Sequence, residues 1–441
     1  MAENARRGER LLIAGGTVLD DTGQRRADVL VVDGTIAAVD EHLEVPAGVR
    51  VLDAGECIVS SGLVDLHTHL RQPGFEEAES IETGARAAAL GGYTAVVAMP
   101  NTNPPIDDAG VARDILALGE RSVCRVAVAG AITIGRLGER LAPFAELAAL
   151  GVRLFTDDGA GVQDAGVMRR ALSYAAGLGV TLGQHCEDAS LAAGGHMHEG
   201  DWSSRLGVPG IPAAAEEVMV ARDIALSRLT GGKVHFLHLS TAGSVALVAA
   251  AKAEGLRITA EVAPHHLLLT DELLAGYDPL FKVNPPLRST ADVAALRAAC
   301  IAGSVDAIAT DHAPHPPEAK EQPLDQAPPG MLGLETAFGV SLEALHPALS
   351  LAEILSLLSW SPARIAGLDT RSPGGDQGGR VETGAPANLC VLDPAARWTV
   401  DAHRLASRSR NTPYGGHQLT GRARHTICRG EAVVIDGVVQ R

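Results

Sequence analysis

The chain has 441 residues, a formal net charge of −16 at pH 7 and 46% hydrophobic residues. That length is enough to bury a large core. The acidic balance, with no basic stripe, excludes nucleic acid and anionic membrane surfaces as partners. Six scattered cysteines (Cys57, Cys124, Cys186, Cys300, Cys390 and Cys428) form no C-x-x-C pair and read as a reduced thiol set. The opening MAENARRGERLLIAGG lacks the apolar core of a signal peptide, and no stretch approaches a membrane span. The expectation is a soluble, cytoplasmic protein.

Residues 9–59 alternate apolar and polar with turn signals, as in LLIAGGTVLDD and DVLVVDGTIAAVD. VVDGTIAAV here is similar to VVIDGVVQ near the other end, and each reads as a hairpin with an Asp-Gly turn. From about 61 to 312 a different unit recurs: a short apolar strand, a polar loop and a helix rich in Ala and Leu. Strands are predicted at 62–70, 93–100, 125–132, 152–158, 180–187, 233–240, 257–264 and 305–312. IETGARAAAL, AGVMRRALSYAAGL and AAAEEVMVARDIALSRL are three of the intervening helices. Eight strands alternating with helices predict a (β/α)8 TIM-type barrel. The expected organisation is the barrel over 61–372, flanked by a small β-sandwich domain built from both termini, 1–60 and 373–441.

The chemistry lies at the strand ends. His67 and His69 stand two apart on the first strand, so both imidazoles face the same way into the barrel mouth. The same spacing in His196-Met197-His198 falls in a Gly-rich loop and reads as incidental. Asp157-Asp158 closes the fourth strand; adjacent strand residues face opposite ways, so one of the two points inward. His185 closes the fifth strand and His238 the sixth. His235 and His238 are three apart, so only one can face inward, and the strand-end position favours His238. Asp311 closes the eighth strand, where a carboxylate can bind a metal and also take a proton from water.

These are the residue types, number and order of a two-metal hydrolytic site, and imidazole suits zinc. The chain has four lysines (Lys233, Lys252, Lys282 and Lys320), none before the sixth strand. A carbamylated lysine bridging two metals is therefore closed to it, and any bridge would be Asp. Arg71 is read as keeping the facing of His69 and offering a fork to a carboxylate. Asn101, Asn284 and His315 are further polar groups for a substrate. His265 and His266 are read as structural. The Pro-rich segment 315–334, with Gly330 and Gly333, is long for a βα loop and reads as a lid.

GLVDLHTHLRQPG, MPNTNPP, LFTDDG, QHCED, GVPGIPAAAEEVMVARDI, HLSTAGS, KVNPPLR, ATDHAPH and GLET follow one another along the chain. Through them the sequence resembles the class I bacterial dihydroorotases of the amidohydrolase superfamily, over essentially its whole length. The resemblance implies two zinc ions per subunit. His67, His69 and Asp311 would hold one, His185 and His238 the other, and Asp158 rather than Asp157 would bridge them. It implies reversible cyclisation of N-carbamoyl-L-aspartate to L-dihydroorotate in pyrimidine (UMP) synthesis, with Asp311 as the catalytic acid and base. Arg71, Asn101 and His315, beside His69, would hold the substrate carboxylate. Asn284 and the backbone at Leu332 and Gly333 would touch the ring. It also implies a homodimer and association with aspartate carbamoyltransferase. Two rival readings are a hydantoinase- or allantoinase-like cyclic amidase, which usually carries the lysine bridge, and a non-catalytic scaffold, which would have lost metal ligands.

Overall fold

The computed structural model describes residues 10–440. Eight strands form the barrel: β1 (Leu63–Thr68), β2 (Tyr93–Ala98), β3 (Arg125–Val128), β4 (Leu154–Thr156), β5 (Thr181–Gln184), β6 (Lys233–Phe236), β7 (Ile258–Val262) and β8 (Ala307–Ile308). Neighbours pair in parallel in two arcs, β1 to β3 and β4 to β8. Single bridges close the two seams: Gly130 to Phe155 between β3 and β4, and Thr68 to His312 between β8 and β1. All residues of β1 and β2 are buried, which is why these strands read as unbroken apolar runs rather than alternating ones.

The helices that follow the strands are α1 (Ile81–Leu90), α2 (Ala109–Gly119), α3 (Phe144–Ala149), α4 (Ala165–Leu178), α5 (Ala214–Thr230), α6 (Ala242–Ala253), α7 (Thr290–Ile301) and α8 (Ala337–Leu345). Their ends are set locally. Ser80 and Thr83 form a reciprocal capping box at the start of α1. Asp164 caps α4, which closes on Gly179 at φ 72°. The alanines at 85, 87, 88 and 89 are buried, so α1 packs closely on the barrel. Gly62, entering β1, has no room for a side chain: a Cβ there would lie 2.1 Å from Thr94 Oγ1.

Both ends of the chain meet in a small β-sandwich. One sheet runs 35–40, 28–32, 10–14, 50–53; the other runs 438–439, 431–435, 418–428, 389–399, 58–61, 17–20, 23–26. Strand Leu389–Thr399 joins the ends, pairing antiparallel with Ile58–Ser61 on one side and Gln418–Cys428 on the other. The apolar core mixes Leu11, Val29, Ile36 and Val59 with Leu389, Val391 and Ile427. Both Asp-Gly hairpins form, with Asp33 and Gly34 at φ 48° and 80° and Asp436 and Gly437 at 47° and 71°. The first of these turns touches the Arg429-Gly430 turn between strands 418–428 and 431–435: a Cβ on Gly430 would lie 2.4 Å from Gly34 Cα. Among the described residues, no helix is long and apolar enough to cross a membrane, and the six cysteines are buried and form no disulfide.

Candidate active site

The barrel strands stop short of their predicted ends, and five of the six expected ligands follow a strand rather than lie in it. His67 is in β1; His69, Asp158, His185, His238 and Asp311 are one to three residues past β1, β4, β5, β6 and β8. Each chain must turn there, and two of the residues take left-handed backbone conformations, His238 at φ 31° and Asp311 at φ 47°. Strand parity is therefore not what selects them. His235 and His238 are both fully buried, and both reach Glu261. Arg71 is likewise off the strand at φ 62°, so it does not inherit the facing of His69.

The six side chains nonetheless converge. Asp158 lies at the centre: Oδ1 is 3.4 Å from His67 Nε2, 3.4 Å from His238 Nε2 and 3.6 Å from His185 Nδ1, while Oδ2 is 3.5 Å from His69 Nε2. Asp311 Oδ1 is 3.2 Å from His69 Nε2 and 3.6 Å from His67 Nε2. His185 Nδ1 and His238 Nε2 are 3.0 Å apart. Asp157 faces the other way, accepting from the amides of Ile132 and Thr133 at 2.8 and 3.0 Å. The Arg136 guanidinium donates to the Asp158 carbonyl and fixes that corner.

Outer partners aim the imidazoles. Glu261 Oε1 lies 2.9 Å from His67 Nδ1, and its Oε2 lies 3.0 Å from His235 Nε2. Asn101 Oδ1 lies 2.9 Å from His69 Nδ1. With Nδ1–H donated outward in both rings, the Nε2 lone pairs of His67 and His69 face two carboxylates. Facing carboxylates, each of these nitrogens needs a proton or a metal ion between, and a proton there makes the ring cationic. His67 Nε2, His185 Nε2 and His238 Nδ1 are also buried without hydrogen-bond partners. Ligands bound at about 2.0–2.1 Å in a tetrahedral shell stand roughly 3.3 Å apart, close to the separations seen here. The donor set thus fits metal ions, with two overlapping groups, His67–His69–Asp311 and His67–Asp158–His238. His185 joins neither group and approaches through His238 and Asp158.

Burial opposes ionisation of Asp311, but the His69 hydrogen bond and the charges of His67 and His238 hold its carboxyl well below the usual range. Asp158 is lowered in the same way against its own burial, by His67, His185 and His238. Glu261 is brought to about 2 by His235 and His67, again against burial. All three are carboxylates at neutral pH.

Arg71 reaches across to the loop after β8: Nε donates to the Pro314 carbonyl at 3.1 Å. Burial lowers it to about 10, opposed by Asp311 and Asp158, and it stays cationic. His315 Nε2 lies 2.8 Å from the Pro329 carbonyl, so that nitrogen carries the proton. Burial, with Arg71 beside it, depresses His315 to about 3 and keeps it neutral. Asn284 Oδ1 is buried with no hydrogen-bond partner. The amides of Leu332 and Gly333 are already engaged, by the Asn411 carbonyl at 3.1 Å and His312 Nδ1 at 3.2 Å. His196 and His198 stand outside the site near Lys282 and Arg288, and His266 Nε2 donates to the Pro285 carbonyl at 3.0 Å.

Residues 55–244 match the family described as Dihydro-orotase-like. A dihydroorotase of Pelotomaculum thermopropionicum is 49% identical over 435 residues, covering 98% of this chain and 100% of the relative. The chain belongs to the dihydroorotase family. A dihydroorotase of Streptomyces coelicolor is 47% identical over 434 residues, covering 97% of this chain and 99% of that one. Among solved structures, an L-hydantoinase (dihydropyrimidinase) from Arthrobacter aurescens superposes with a TM-score of 0.87 at 26% identity, over 98% of each chain. This dihydroorotase-family chain thus shares its barrel-plus-sandwich architecture with hydantoinases. At the centre of its histidines it places Asp158, and none of its four lysines lies among them.

Several partners of the site were not read from the sequence. Glu261 is one: a lone acid inside the apolar strand ITAEV was its signal. Others are Arg136, Asn411 and the buried pair His312–Glu79, 3.3 Å apart.

Proposed function

We propose that the protein is a zinc-dependent dihydroorotase, catalysing the reversible cyclisation of N-carbamoyl-L-aspartate to L-dihydroorotate in pyrimidine synthesis. The observation that carries this is Asp158, whose two oxygens touch all four histidines while Asp311 stands over the His67–His69 side. His67, His69 and Asp311 would hold one zinc, His185 and His238 a second, with Asp158 between them. Zinc, when bound there, supplies Lewis acidity that polarises a carbonyl and lowers the pKa of water.

The chain's own residues do the rest. In the hydrolytic direction water adds to the ring amide carbonyl and the carbon–nitrogen bond breaks. Asp311, ionised, takes the proton from the water and returns it to the departing nitrogen. Arg71 supplies the cation for the substrate carboxylate, with Asn101 and neutral His315 beside it. Asn101 also orients His69, so one residue couples substrate position to the ligand set. Asn284 offers its uncommitted Oδ1 to a ring N–H. Leu332 and Gly333 wall the ring with backbone whose amides are held by Asn411 and His312. A homodimer, association with aspartate carbamoyltransferase and a cytoplasmic location complete the proposal; light scattering of the purified protein checks the first.

The test is turnover of dihydroorotate, hydantoin and allantoin in parallel, with and without a chelator. Chelator-sensitive turnover of dihydroorotate alone is expected. Turnover of hydantoin in its place would overturn the substrate assignment.

A further inference from the structure

Two of the chain's four lysines are buried where the long loop after β8 meets the segment after β7. Lys320 is 5% exposed and Lys282 7%. Lys320 Nζ donates to three backbone carbonyls, Pro328 at 2.9 Å, Gly330 at 3.1 Å and Lys282 at 3.2 Å. In return Lys282 Nζ donates to the Leu324 carbonyl at 2.6 Å, and the Gly330 amide to the Lys282 carbonyl at 2.9 Å. Each ammonium thus holds the other's segment. Among the described residues, neither makes an ion pair with a carboxylate. A buried cation without a counter-ion is costly, so a stitch of carbonyl dipoles is what keeps these two in place.

The stitched segments carry the groups assigned to the substrate. His315 bonds the Pro329 carbonyl, next to the Pro328 carbonyl that Lys320 grips. Asn411 Nδ2 donates to the carbonyls of Ala313 at 3.0 Å and Gly330 at 3.1 Å. Asn284 lies two residues beyond Lys282. We infer that Lys320 is a positioning residue: by gripping the Lys282, Pro328 and Gly330 carbonyls it fixes the 315–334 loop against the Asn284 segment and so holds His315 and Asn284 for the substrate. The inference rests on the reading of the site as a dihydroorotase centre.

Burial, with Lys282 close by, brings Lys320 down to about 7, opposed by Asp278. On the Lys282 side stand Asp325 and His196, and His315 also feels the Lys320 charge. As pH rises through about 7 the ammonium loses a proton and keeps two N–H donors for three carbonyls. The loop is tightest below that pH and loosens above it.

Lys320→Met in the zinc-loaded full chain tests this. A charge-assisted hydrogen-bond set is expected to be worth about tenfold in KM for dihydroorotate, with kcat and zinc content little changed. Proteolysis within 315–334 should be faster in the variant at pH 6.5. The wild type should approach the variant's cleavage rate towards pH 8.5, and the variant should stay flat. Wild-type KM and cleavage rate in Lys320→Met would overturn the inference. If that variant does not fold, Lys282→Met, which removes the grip on Leu324, should accelerate loop cleavage, and an unchanged rate is equally fatal. A wild type inactive on dihydroorotate but with pH-dependent cleavage sinks the substrate reading and supports the stitch. Active wild type with pH-independent cleavage does the reverse.

Discussion

At the scale of the residue, two of the four imidazoles are held from outside, His67 by Glu261 and His69 by Asn101. Glu261 sits between His67 and His235 with both oxygens committed, so removing its charge leaves His67 free to turn or to change tautomer. Glu261→Gln should weaken zinc binding by about 10–100-fold; competition with a chromogenic chelator measures it, and unchanged affinity would refute the aiming role. Asp311→Asn should keep bound metal yet lose on the order of 10²–10⁴ in turnover, the usual range for a positioned acid or base. Metal content and kcat measured on the same sample decide this, and a near wild-type rate would remove Asp311 as the proton carrier. The converging side chains themselves were legible because histidines and acids at the ends of apolar runs are chemically conspicuous. Glu261 was not, since its meaning depends on His67, 194 positions away.

At the scale of the element, the alternation of strands and helices was plain in the sequence, and α1 and α4 span the predicted runs. What the pattern could not show is where pairing stops. Strand pairing ends before His69, His185 and His238, so reasoning from side-chain parity reached residues that do converge, but by a geometry the chain does not use. Left-handed turns at His238, Arg71 and Asp311 are invisible to a two-residue period. The Asp-Gly hairpins were legible for the opposite reason: their positive φ angles are written in the residue types. The contact of the Asp33-Gly34 turn with the Arg429-Gly430 turn was not legible. Gly430, at φ 81°, backs onto Gly34, so Gly430→Ala should cost about 1–3 kcal/mol from strain and overlap. Denaturant unfolding of the purified variant reads this directly, and a midpoint equal to wild type would show that the two turns can separate freely.

At the scale of the whole molecule, buried charge couples stability to pH. Burial raises Glu335 to about 7, against the Ala406 amide and the charges of Arg422 and Arg410. The folded state therefore holds this proton more tightly than the unfolded chain does. The contribution is complete below the ordinary value of 4.5, declines as pH rises from 4.5 to about 7, and is constant above. Glu335→Gln removes it, so the variant should gain in Tm over the wild type across that window. Calorimetry at pH 4.5, 6 and 8 follows the difference; a gap that does not change with pH would contradict the assignment.

The strand that joins the two ends of the chain sets a schedule for its synthesis. Ile58–Ser61 pairs on one side with Leu389–Thr399, so that edge stays open while the chain grows from residue 61 to residue 389. At about 5–20 residues per second this lasts roughly a quarter of a minute to a minute. The whole barrel emerges from the ribosome in that interval, beside an unpaired row of amides and carbonyls that any other strand could match. The nascent protein, rather than the finished one, is the species exposed to misassembly, and the C-terminal strands act as its final closure.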